Sequence, residues 1–328
     1  MILVTGGAGF IGSALISYLN SQGITNIIVV DRLGADEKWV NLRSLKFDFY
    51  VHADELFTEY KNLLPSIKTI YHMGACSETT EKNMDYLWKN NVLYSQRLFT
   101  FAAQNNLDFV YASSAATYGS GEQGYSDRHE VVERLRPLNP YGYSKQLFDE
   151  WVLRQKRPPR KWYGLKFFNV YGPNEYHKGP MVSVVYQACQ QIQQTGKVRL
   201  FKSHRPDYTD GGQLRDFIYV KDVVKIMTSL LEVQDKKASG IYNVGTGKAH
   251  SFADLVMAVF HHMQKDVQIE YFDMPEKLRD QYQYYTQSNQ EKLLELLPFY
   301  QYYSLTEGVG DYVKRYLLQK DPYMQGTF

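Results

Sequence analysis

The chain has 328 residues, a length that suits one large α/β domain with a smaller lobe. Its formal net charge of +2 is too small to indicate a nucleic-acid or membrane partner, and no run of about 18 apolar residues predicts a membrane-spanning helix. The two cysteines, Cys76 and Cys189, have no metal-ligand spacing and suggest no disulfide framework. The opening MILVTGG lacks the basic start of a signal peptide, so we expect a cytoplasmic protein without a bound metal.

Short apolar runs alternate with helical patterns through the first half of the chain. The predicted strands are Ile2–Val4, Asn26–Val30, Thr69–His72, Phe109–Ala112 and Trp162–Phe167. The helices predicted between or after them include Phe10–Gln22, Asp85–Gln104 and Tyr143–Arg154. Because most of the strands are apolar throughout, we expect a parallel sheet covered on both faces, which is the doubly wound Rossmann type of α/β fold.

The alternation becomes less regular after about residue 170. Helices are predicted at Val182–Gln194, Val223–Glu232, Phe252–Met263 and Gln290–Leu296, and strands at Asp216–Val220 and Gly240–Val244. We interpret residues 1–170 as a cofactor domain, to which elements from about 215–245 can return. Residues 171–328 then form mainly a smaller C-terminal α/β lobe over the strand ends, where ligands of doubly wound sheets bind.

A glycine-rich turn joins the first predicted strand to the first helix. Gly6, Gly9 and Gly12 have G-x-x-G-x-x-G spacing, which lets the backbone approach a pyrophosphate while the helix N-terminus faces the anion. Asp31 follows the second strand, at the position where an acidic residue binds the adenosine ribose. The turn therefore predicts a nicotinamide dinucleotide site.

The residues after Asp31 carry signals for both forms of that cofactor. An acidic side chain favours the free 2′-hydroxyl of NAD, whereas Arg32 and Lys38 can bind the 2′-phosphate of NADP. Both side chains are also ordinary surface charges in many proteins, so the pattern alone leaves the choice open.

The stretch NPYGYSK contains two tyrosines before one lysine. Tyr141 and Lys145 are four residues apart and share a helix face, whereas Tyr143 is two residues from the lysine and points elsewhere. A nearby ammonium group and the positive nicotinamide ring favour the phenolate, so Tyr141 is the candidate acid–base residue. The hydroxyl residues of YASSAATYG end the preceding strand beside this site, and one of them can hydrogen-bond the substrate oxygen.

Together, GGAGFIG, SSAATYG and YGYSK resemble the extended short-chain dehydrogenase/reductases that act on nucleotide-diphosphate sugars. The likeness covers nearly the whole chain and implies that Ser114, Tyr141 and Lys145 form the catalytic triad. The 4,6-dehydratases of this family carry an Asp-Glu pair where Ala115 and Ala116 stand here. The resemblance therefore argues against water elimination.

Within the family, HMGACSETT, LNPYGYSKQLFDE, FFNVYGPNEYHKGPM and YQYYTQ are similar to the 6-epimerases of ADP-glycero-manno-heptose. This resemblance implies inversion at C6″ of the heptose for the lipopolysaccharide core, with bound NADP and with Lys178 as a second acid–base group. The second group has a geometric reason, because hydride must return to the opposite face of a transient ketone and the turned oxygen then needs another proton donor. Alternatives are a C4 epimerase or ketoreductase of another nucleotide sugar, and a non-catalytic dinucleotide sensor.

The resemblance also implies binding residues. The cofactor set is Gly6, Gly9, Phe10, Ile11, Gly12, Asp31, Arg32, Lys38, Gly74, Ala75, Cys76, Ser77, Asn90, Lys145, Val170 and Lys178. The substrate set is Ser114, Asn169, Phe201, Lys202, Ser203, His204, Arg215 and Tyr282. Arg215 suits a diphosphate because its planar fork binds pairs of oxygens.

Several positions depart from the family pattern. The segment Ser203–Gln213 is longer than expected, which weakens the transfer of roles to Ser203 and His204. Pro180 replaces a small hydroxyl residue and removes a substrate hydrogen bond, and Arg32 replaces an expected Asn, which favours NADP. We also expect a homo-oligomer, because the family tends to assemble through helices of the cofactor domain.

Overall fold

A computed structural model describes residues 1–235, 238–279 and 282–328. Its strands are β1 (Ile2–Thr5), β2 (Ile27–Asp31), β3 (Phe49–His52), β4 (Thr69–His72), β5 (Asp108–Ser114), β6 (Lys161–Phe167), β7 (Asn169–Tyr171), β8 (Val198–Phe201), β9 (Leu214–Tyr219), β10 (Gly240–Val244), β11 (Ala249–Ser251) and β12 (Ile269–Phe272). The central sheet has seven strands in the order β10-β6-β5-β4-β1-β2-β3, and every neighbouring pair is parallel. The predicted doubly wound α/β fold is confirmed.

The helices are α1 (Phe10–Ser21), α2 (Met84–Leu87), α3 (Tyr94–Gln104), α4 (His129–Val132), α5 (Pro140–Leu153), α6 (Val184–Thr195), α7 (Val220–Glu232), α8 (Phe252–His262), α9 (Glu276–Arg279), α10 (Glu291–Leu296) and α11 (Leu305–Tyr312). The predicted helix Asp85–Gln104 is observed as α2 and α3 joined by a π-helical segment, Trp88–Leu93. A second π-helical segment, Val313–Leu317, continues α11.

The core has two parts because successive strand residues point to opposite faces of the sheet. Val4 belongs to the cluster that contains apolar side chains of α1 and α7, whereas its neighbour Leu3 belongs to the cluster that contains those of α3 and α5. Leu3 and Val4 are fully buried, and so is Val29 of the neighbouring strand β2. Helices therefore cover both faces, which explains why the strands read as continuous apolar runs.

The smaller lobe lies mainly in the second half of the chain. A three-stranded mixed sheet has the order β11-β9-β7, and β8 pairs in parallel with β12. The chain also returns to the central sheet, where β10 pairs with β6. The domain division at residue 170 stays a prediction. Strand β10 lies within the 215–245 region from which a return to the cofactor domain is expected.

Across the described ranges, every helix is too short or too polar to cross a lipid bilayer.

Candidate active site

The turn after β1 is built for a close approach of backbone segments. Gly6 has φ +64°, and a Cβ atom there would lie 2.6 Å from the backbone of Gly74. A Cβ atom on Gly12 would overlap the carbonyl oxygen of Gly6. Glycine is therefore required at both positions because a side chain would collide with neighbouring backbone, and at Gly6 also because φ is positive.

The first turn of α1 offers free donors to an anion. Gly9 is the N-cap residue and supplies no side-chain acceptor, and the first turn contains no acidic residue. The leading N–H groups of the helix are consequently not satisfied by a cap and carry the positive end of the helix dipole. This combination fits the pyrophosphate of a dinucleotide.

Asp31 ends β2 beside this turn and is buried. Its Oδ2 accepts a hydrogen bond from the Ala8 N–H at 2.9 Å, and its Oδ1 accepts one from the Arg32 N–H at 2.7 Å. The Lys38 ammonium donates to Oδ1 at 3.0 Å. The carboxylate is thus fixed at the carboxyl end of the strand, where an adenosine ribose fits.

The Arg32 side chain extends away from Asp31. Its Nε and one terminal nitrogen donate to the Asp54 carboxylate at 3.2 and 2.6 Å, and the other terminal nitrogen donates to the Asn90 side chain at 3.0 Å. The Asp54 partner raises the pKa of Arg32, so the guanidinium is a permanent positive charge at this edge of the site.

Tyr141 and Lys145 lie one turn apart on α5, and the side chain of its N-cap residue Asn139 accepts a hydrogen bond from the Gly142 N–H at 2.8 Å. Tyr141 is buried with 9% of its surface exposed, whereas Tyr143 is 48% exposed. The spacing argument that selected Tyr141 over Tyr143 therefore agrees with their burial, because only a side chain facing the interior can line the site.

The protein groups around Tyr141 favour its neutral phenol. Burial raises the pKa of Tyr141, and a hydrogen bond with Ser114 lowers it by a smaller amount. Burial also lowers the pKa of Lys145 to about 8, and its ammonium donates to the Ala112 carbonyl oxygen of β5 at 2.8 Å. The lowering of the Tyr141 pKa expected from the sequence therefore depends on the positive charge of an oxidised nicotinamide ring.

Lys178 reaches the site from a different element, the short helical segment Tyr176–Met181. Its ammonium lies 5.3 Å from the centre of the Phe10 ring, at the start of α1. Burial lowers the pKa of Lys178, and the negative charge of Glu175 opposes that shift. A partly desolvated lysine of this kind can exchange a proton nearer neutral pH than a solvated one.

One cavity of about 620 Å³ contains these groups. Every residue of the predicted cofactor set lines it, and so do Ser114 and Tyr141. The glycine turn, Asp31 and the two lysines are therefore parts of a single site, of a volume usual for ligand pockets. The lining residues that the sequence did not single out include Thr79, His177 and Met181.

The predicted substrate residues of the smaller lobe form a separate aromatic cluster. The Arg215 guanidinium lies 5.2 Å from the centre of the Tyr282 ring and 5.7 Å from that of Phe252. The Phe201 and Tyr282 ring centres are 6.3 Å apart. Arg215 is buried, and its guanidinium donates to the Leu214 carbonyl oxygen at 2.9 Å.

Burial lowers the pKa of Arg215, and its electrostatic neighbours are tyrosines. In the described ranges no carboxylate forms an ion pair with it. A buried cation without a carboxylate partner is suited to an anionic ligand.

The other predicted substrate residues lie nearer the surface. His204 and Lys202 are exposed, and the Lys202 ammonium lies 3.4 Å from the Asp273 carboxylate. The Ser203 hydroxyl donates to the Arg205 carbonyl oxygen at 2.8 Å. Asn169 begins β7 and is exposed. None of these four lines the large cavity, so their substrate roles stay predictions.

Asn91 ties the cofactor side of the cavity to α5 and was missed from the sequence. Its side chain accepts a hydrogen bond from the Cys76 N–H at 2.9 Å and donates to the Cys76 carbonyl oxygen at 3.0 Å. It also donates to the Ser144 hydroxyl at 2.9 Å. The signal was present as a polar residue on the buried face of a predicted helix, because such a residue needs partners.

Comparison with known proteins decides the family. Residues 2–245 match the profile of the NAD dependent epimerase/dehydratase family, which is more than half of the chain. The chain belongs to this family. The family's NAD dependence agrees with the nicotinamide cofactor that the glycine turn and Asp31 predict.

Three relatives place the chain within the epimerase/dehydratase family. It is 48% identical to the ADP-L-glycero-D-manno-heptose-6-epimerase of Fusobacterium nucleatum, over 99% of this chain and 100% of the relative. The crystal structure of the Helicobacter pylori enzyme of the same name is 29% identical, with a TM-score of 0.78 over 96% and 95% of the two chains. MoeE5, solved with UDP-glucuronic acid and NAD, is 26% identical, with a TM-score of 0.75 over 96% and 99%.

Proposed function

We propose that the chain inverts C6″ of ADP-D-glycero-D-manno-heptose, by transient oxidation and re-reduction with a tightly bound nicotinamide cofactor. The observation that carries the proposal is the meeting of Ser114, Tyr141, Lys145 and Lys178 in the cavity that contains the glycine turn. The name and the full-length similarity of the 48% identical relative support the substrate. The enzyme is then an isomerase that supplies a lipopolysaccharide core precursor.

Two proton carriers from different elements suit an inversion. Tyr141 belongs to α5, whereas Lys178 belongs to the segment that packs over Phe10. When bound, the cofactor supplies reversible hydride transfer at C6″. Tyr141 accepts the hydroxyl proton of one epimer, and Lys178 returns a proton to the ketone oxygen after the sugar end has turned. The assignment of each lysine and tyrosine to its role is part of the proposal.

Ser114 and Lys145 assist Tyr141. The Ser114 hydroxyl hydrogen-bonds Tyr141 and is placed to hold the substrate oxygen, because it ends β5 at the cavity. The Lys145 ammonium is held against the Ala112 carbonyl oxygen, which keeps its charge one helical turn from the phenol. Its charge favours the phenolate when the tyrosine acts as the base.

We infer that the cofactor is NADP. The Lys38 ammonium pairs with Asp31 and the Arg32 guanidinium lines the same cavity, so both charges are available to a 2′-phosphate on the ribose. Each cation also has a carboxylate partner in the protein, Asp54 for Arg32 and Asp31 for Lys38. NAD is the alternative, which Asp31 alone would favour.

The ADP part of the substrate is assigned to the cluster around Arg215. The buried guanidinium can bind two diphosphate oxygens, and the Phe201 and Tyr282 rings offer faces for the adenine. Asn169, Lys202, Ser203 and His204 are assigned to the same ligand on the strength of the family resemblance alone.

We also propose that the chain forms a homo-oligomer through the outer faces of α3 and α5. A shallow groove there is lined by Phe57, Leu93, Phe101 and Trp151, with Arg97 at its side. Leu93, which ends the π-helical segment before α3, is 46% exposed and adds to this apolar surface. Sedimentation of the wild type and of Leu93→Glu checks this proposal, which a monomeric wild type would contradict.

Substrate comparison tests the proposed function. Purified protein should convert ADP-D-glycero-D-manno-heptose to the L-glycero epimer without added cofactor, and denaturation should release NADP. It should not interconvert UDP-glucose and UDP-galactose, the reaction expected of a C4 epimerase. Turnover of the UDP-sugars with no change of the heptose would replace the proposal, and absence of all turnover would favour a dinucleotide sensor.

A further inference from the structure

A charged pair lies directly under the candidate site and is not used by the proposed chemistry. Asp149 of α5 and Lys166 of β6 are both completely buried, and the Lys166 ammonium lies 2.6 Å from the Asp149 carboxylate. The carboxylate also accepts hydrogen bonds from the Tyr111 hydroxyl at 2.9 Å and the Ser113 hydroxyl at 2.7 Å. The ammonium donates a further hydrogen bond to the Thr117 hydroxyl at 2.8 Å.

This network is more than an internal crosslink. A buried ion pair loses its hydration, and replacement by apolar side chains is often neutral or stabilising. Stability alone is therefore a weak reason for placing two full charges beneath a catalytic helix. The surrounding contacts indicate a second effect, on the residues that face the cavity.

One branch of the network reaches Ser114. The Thr117 hydroxyl accepts from Lys166 and donates to the Ser114 carbonyl oxygen at 2.8 Å. The Ser114 side chain in turn accepts from the Ala116 N–H at 3.1 Å. The turn that carries the Ser114 hydroxyl toward Tyr141 is thus fixed by Lys166 through one intervening side chain.

The other branch is electrostatic and reaches Lys145. Asp149 follows Lys145 by four residues, so the two lie on the same face of α5. Burial lowers the pKa of Lys145, and the Asp149 charge is the largest influence that opposes this shift. Without that charge, the ammonium that supports Tyr141 would be harder to maintain.

We propose that Asp149 and Lys166 form a positioning pair for the reaction, which holds the Ser114 turn through Thr117 and provides the carboxylate that stabilises the Lys145 ammonium. The proposal rests on the proposed function for the roles of Ser114 and Lys145. It adds two residues that touch neither substrate nor cofactor to the machinery of the site.

Other titratable groups face the same region and interact electrostatically with Lys145, Asp149 or Lys166. Those that influence Lys145 or are influenced by it are Asp149, Cys76 and His72. Those that sense Asp149 or Lys166 are Tyr111, Tyr118, Asp127, His129, Tyr141 and Lys292. Burial raises the pKa of the Cys76 thiol and lowers that of His72, so neither carries a negative charge near pH 7. Asp149 is therefore the stabilising charge that a substitution can remove.

The test compares Asp149→Asn with a control variant at another ion pair beside β6. Arg160, immediately before β6, forms an ion pair with Asp108 of β5 at 2.5 Å, at the opposite end of these strands from the site. Asp149→Asn removes the carboxylate of the ion pair between α5 and β6, and Asp108→Asn removes that of the pair between β5 and the residue before β6. Asp149→Asn should move the basic limb of the kcat–pH profile down by about one pH unit, and Asp108→Asn should leave it unchanged.

A direct titration separates this inference from the proposed function. The pH-dependent NMR shift of the Lys145 side chain, assigned with Lys145→Met, requires no substrate. Its midpoint should fall in Asp149→Asn and stay in Asp108→Asn, even if the protein does not act on ADP-heptose. An unchanged midpoint in Asp149→Asn overturns the electrostatic branch.

Further variants protect the test against misfolding. The double variant Asp149→Asn/Lys166→Met leaves no unpaired buried charge and should show the same downward shift. Thr117→Val cuts the Ser114 branch alone, and it should lower kcat about tenfold with KM and the pH profile unchanged. Wild-type kcat in Thr117→Val overturns that branch.

Discussion

Replacement of Lys178 by methionine probes the two-carrier scheme most sharply. The methionine retains the length and apolar stem of the side chain and removes the ammonium group. Its thioether can still contact the Phe10 ring, over which the Lys178 ammonium lies at 5.3 Å. Across the described residues no carboxylate oxygen lies within ion-pair distance of that ammonium, but the buried Glu175 carboxylate loses a nearby positive charge in the variant.

The expected effects on stability and on catalysis differ greatly in size. Loss of one partly exposed cation–π contact costs about 0.5–1 kcal/mol of folding free energy. Loss of a positioned acid–base group lowers a rate by about 10²- to 10⁴-fold, or about 3–5 kcal/mol in the barrier. Lys178→Met should therefore remain folded and retain its cofactor while epimerisation falls at least 100-fold.

The assay follows the ratio of the two heptose epimers by NMR, with released cofactor measured after denaturation. Lys197→Met is the matched control, because Lys197 is an exposed lysine that pairs with Glu270 at 2.6 Å on the surface. The control should epimerise at the wild-type rate. Full activity of Lys178→Met would refute the two-carrier reasoning, since Tyr141 would then serve both faces of the ketone.

Further predictions concern cofactor binding, pH and the substrate. Gly12→Ala should abolish cofactor retention because its Cβ would overlap the Gly6 carbonyl oxygen, which absorbance of the purified protein reports. The epimerisation rate should fall as pH rises through about 8, because the Lys145 ammonium is present below that pKa and lost above it; rates measured across this range check the sign. Burial lowers the pKa of His72 to about 3, so its contribution to stability is present above about 6.5 and is lost as pH falls. Urea unfolding should therefore give about 2 kcal/mol less from this group at pH 5 than at pH 7, and His72→Gln should reduce that difference. Arg215→Met should raise KM for ADP-heptose at least tenfold with cofactor retained, and an unchanged KM would remove Arg215 from the diphosphate site.

The sequence predicts the centre of the fold well because buried parallel strands have a strong local pattern. Thr69–His72 and Gly240–Val244 are observed with the predicted bounds. The edge strand β3 was missed although Phe49, Tyr50 and Val51 form a short apolar run; only Val51 is buried there, and Phe49 is 40% exposed. Helix α11 was also missed, because its Gly308 and Gly310 weaken the helical pattern although tertiary packing buries both.

The cofactor half of the site follows from local motifs, whereas the rest depends on contacts between distant segments. The glycine turn and the Tyr141–Lys145 spacing can each be recognised within one short segment, because their geometry depends only on neighbouring residues. The approach of Arg215 to Tyr282 joins β9 to a segment far along the chain, which no local pattern specifies. The Asp149–Lys166 pair is equally non-local, because each residue alone looks like an ordinary charge in an amphipathic or apolar element.

Deuterium labelling at C6″ tests the central claim most directly. ADP-D-glycero-D-manno-heptose with deuterium at that carbon should give the L-glycero epimer with the deuterium retained, because the hydride removed from C6″ returns to C6″ in the same active site. Loss of the deuterium to solvent, or a product with C6″ unchanged, would contradict inversion by oxidation and re-reduction.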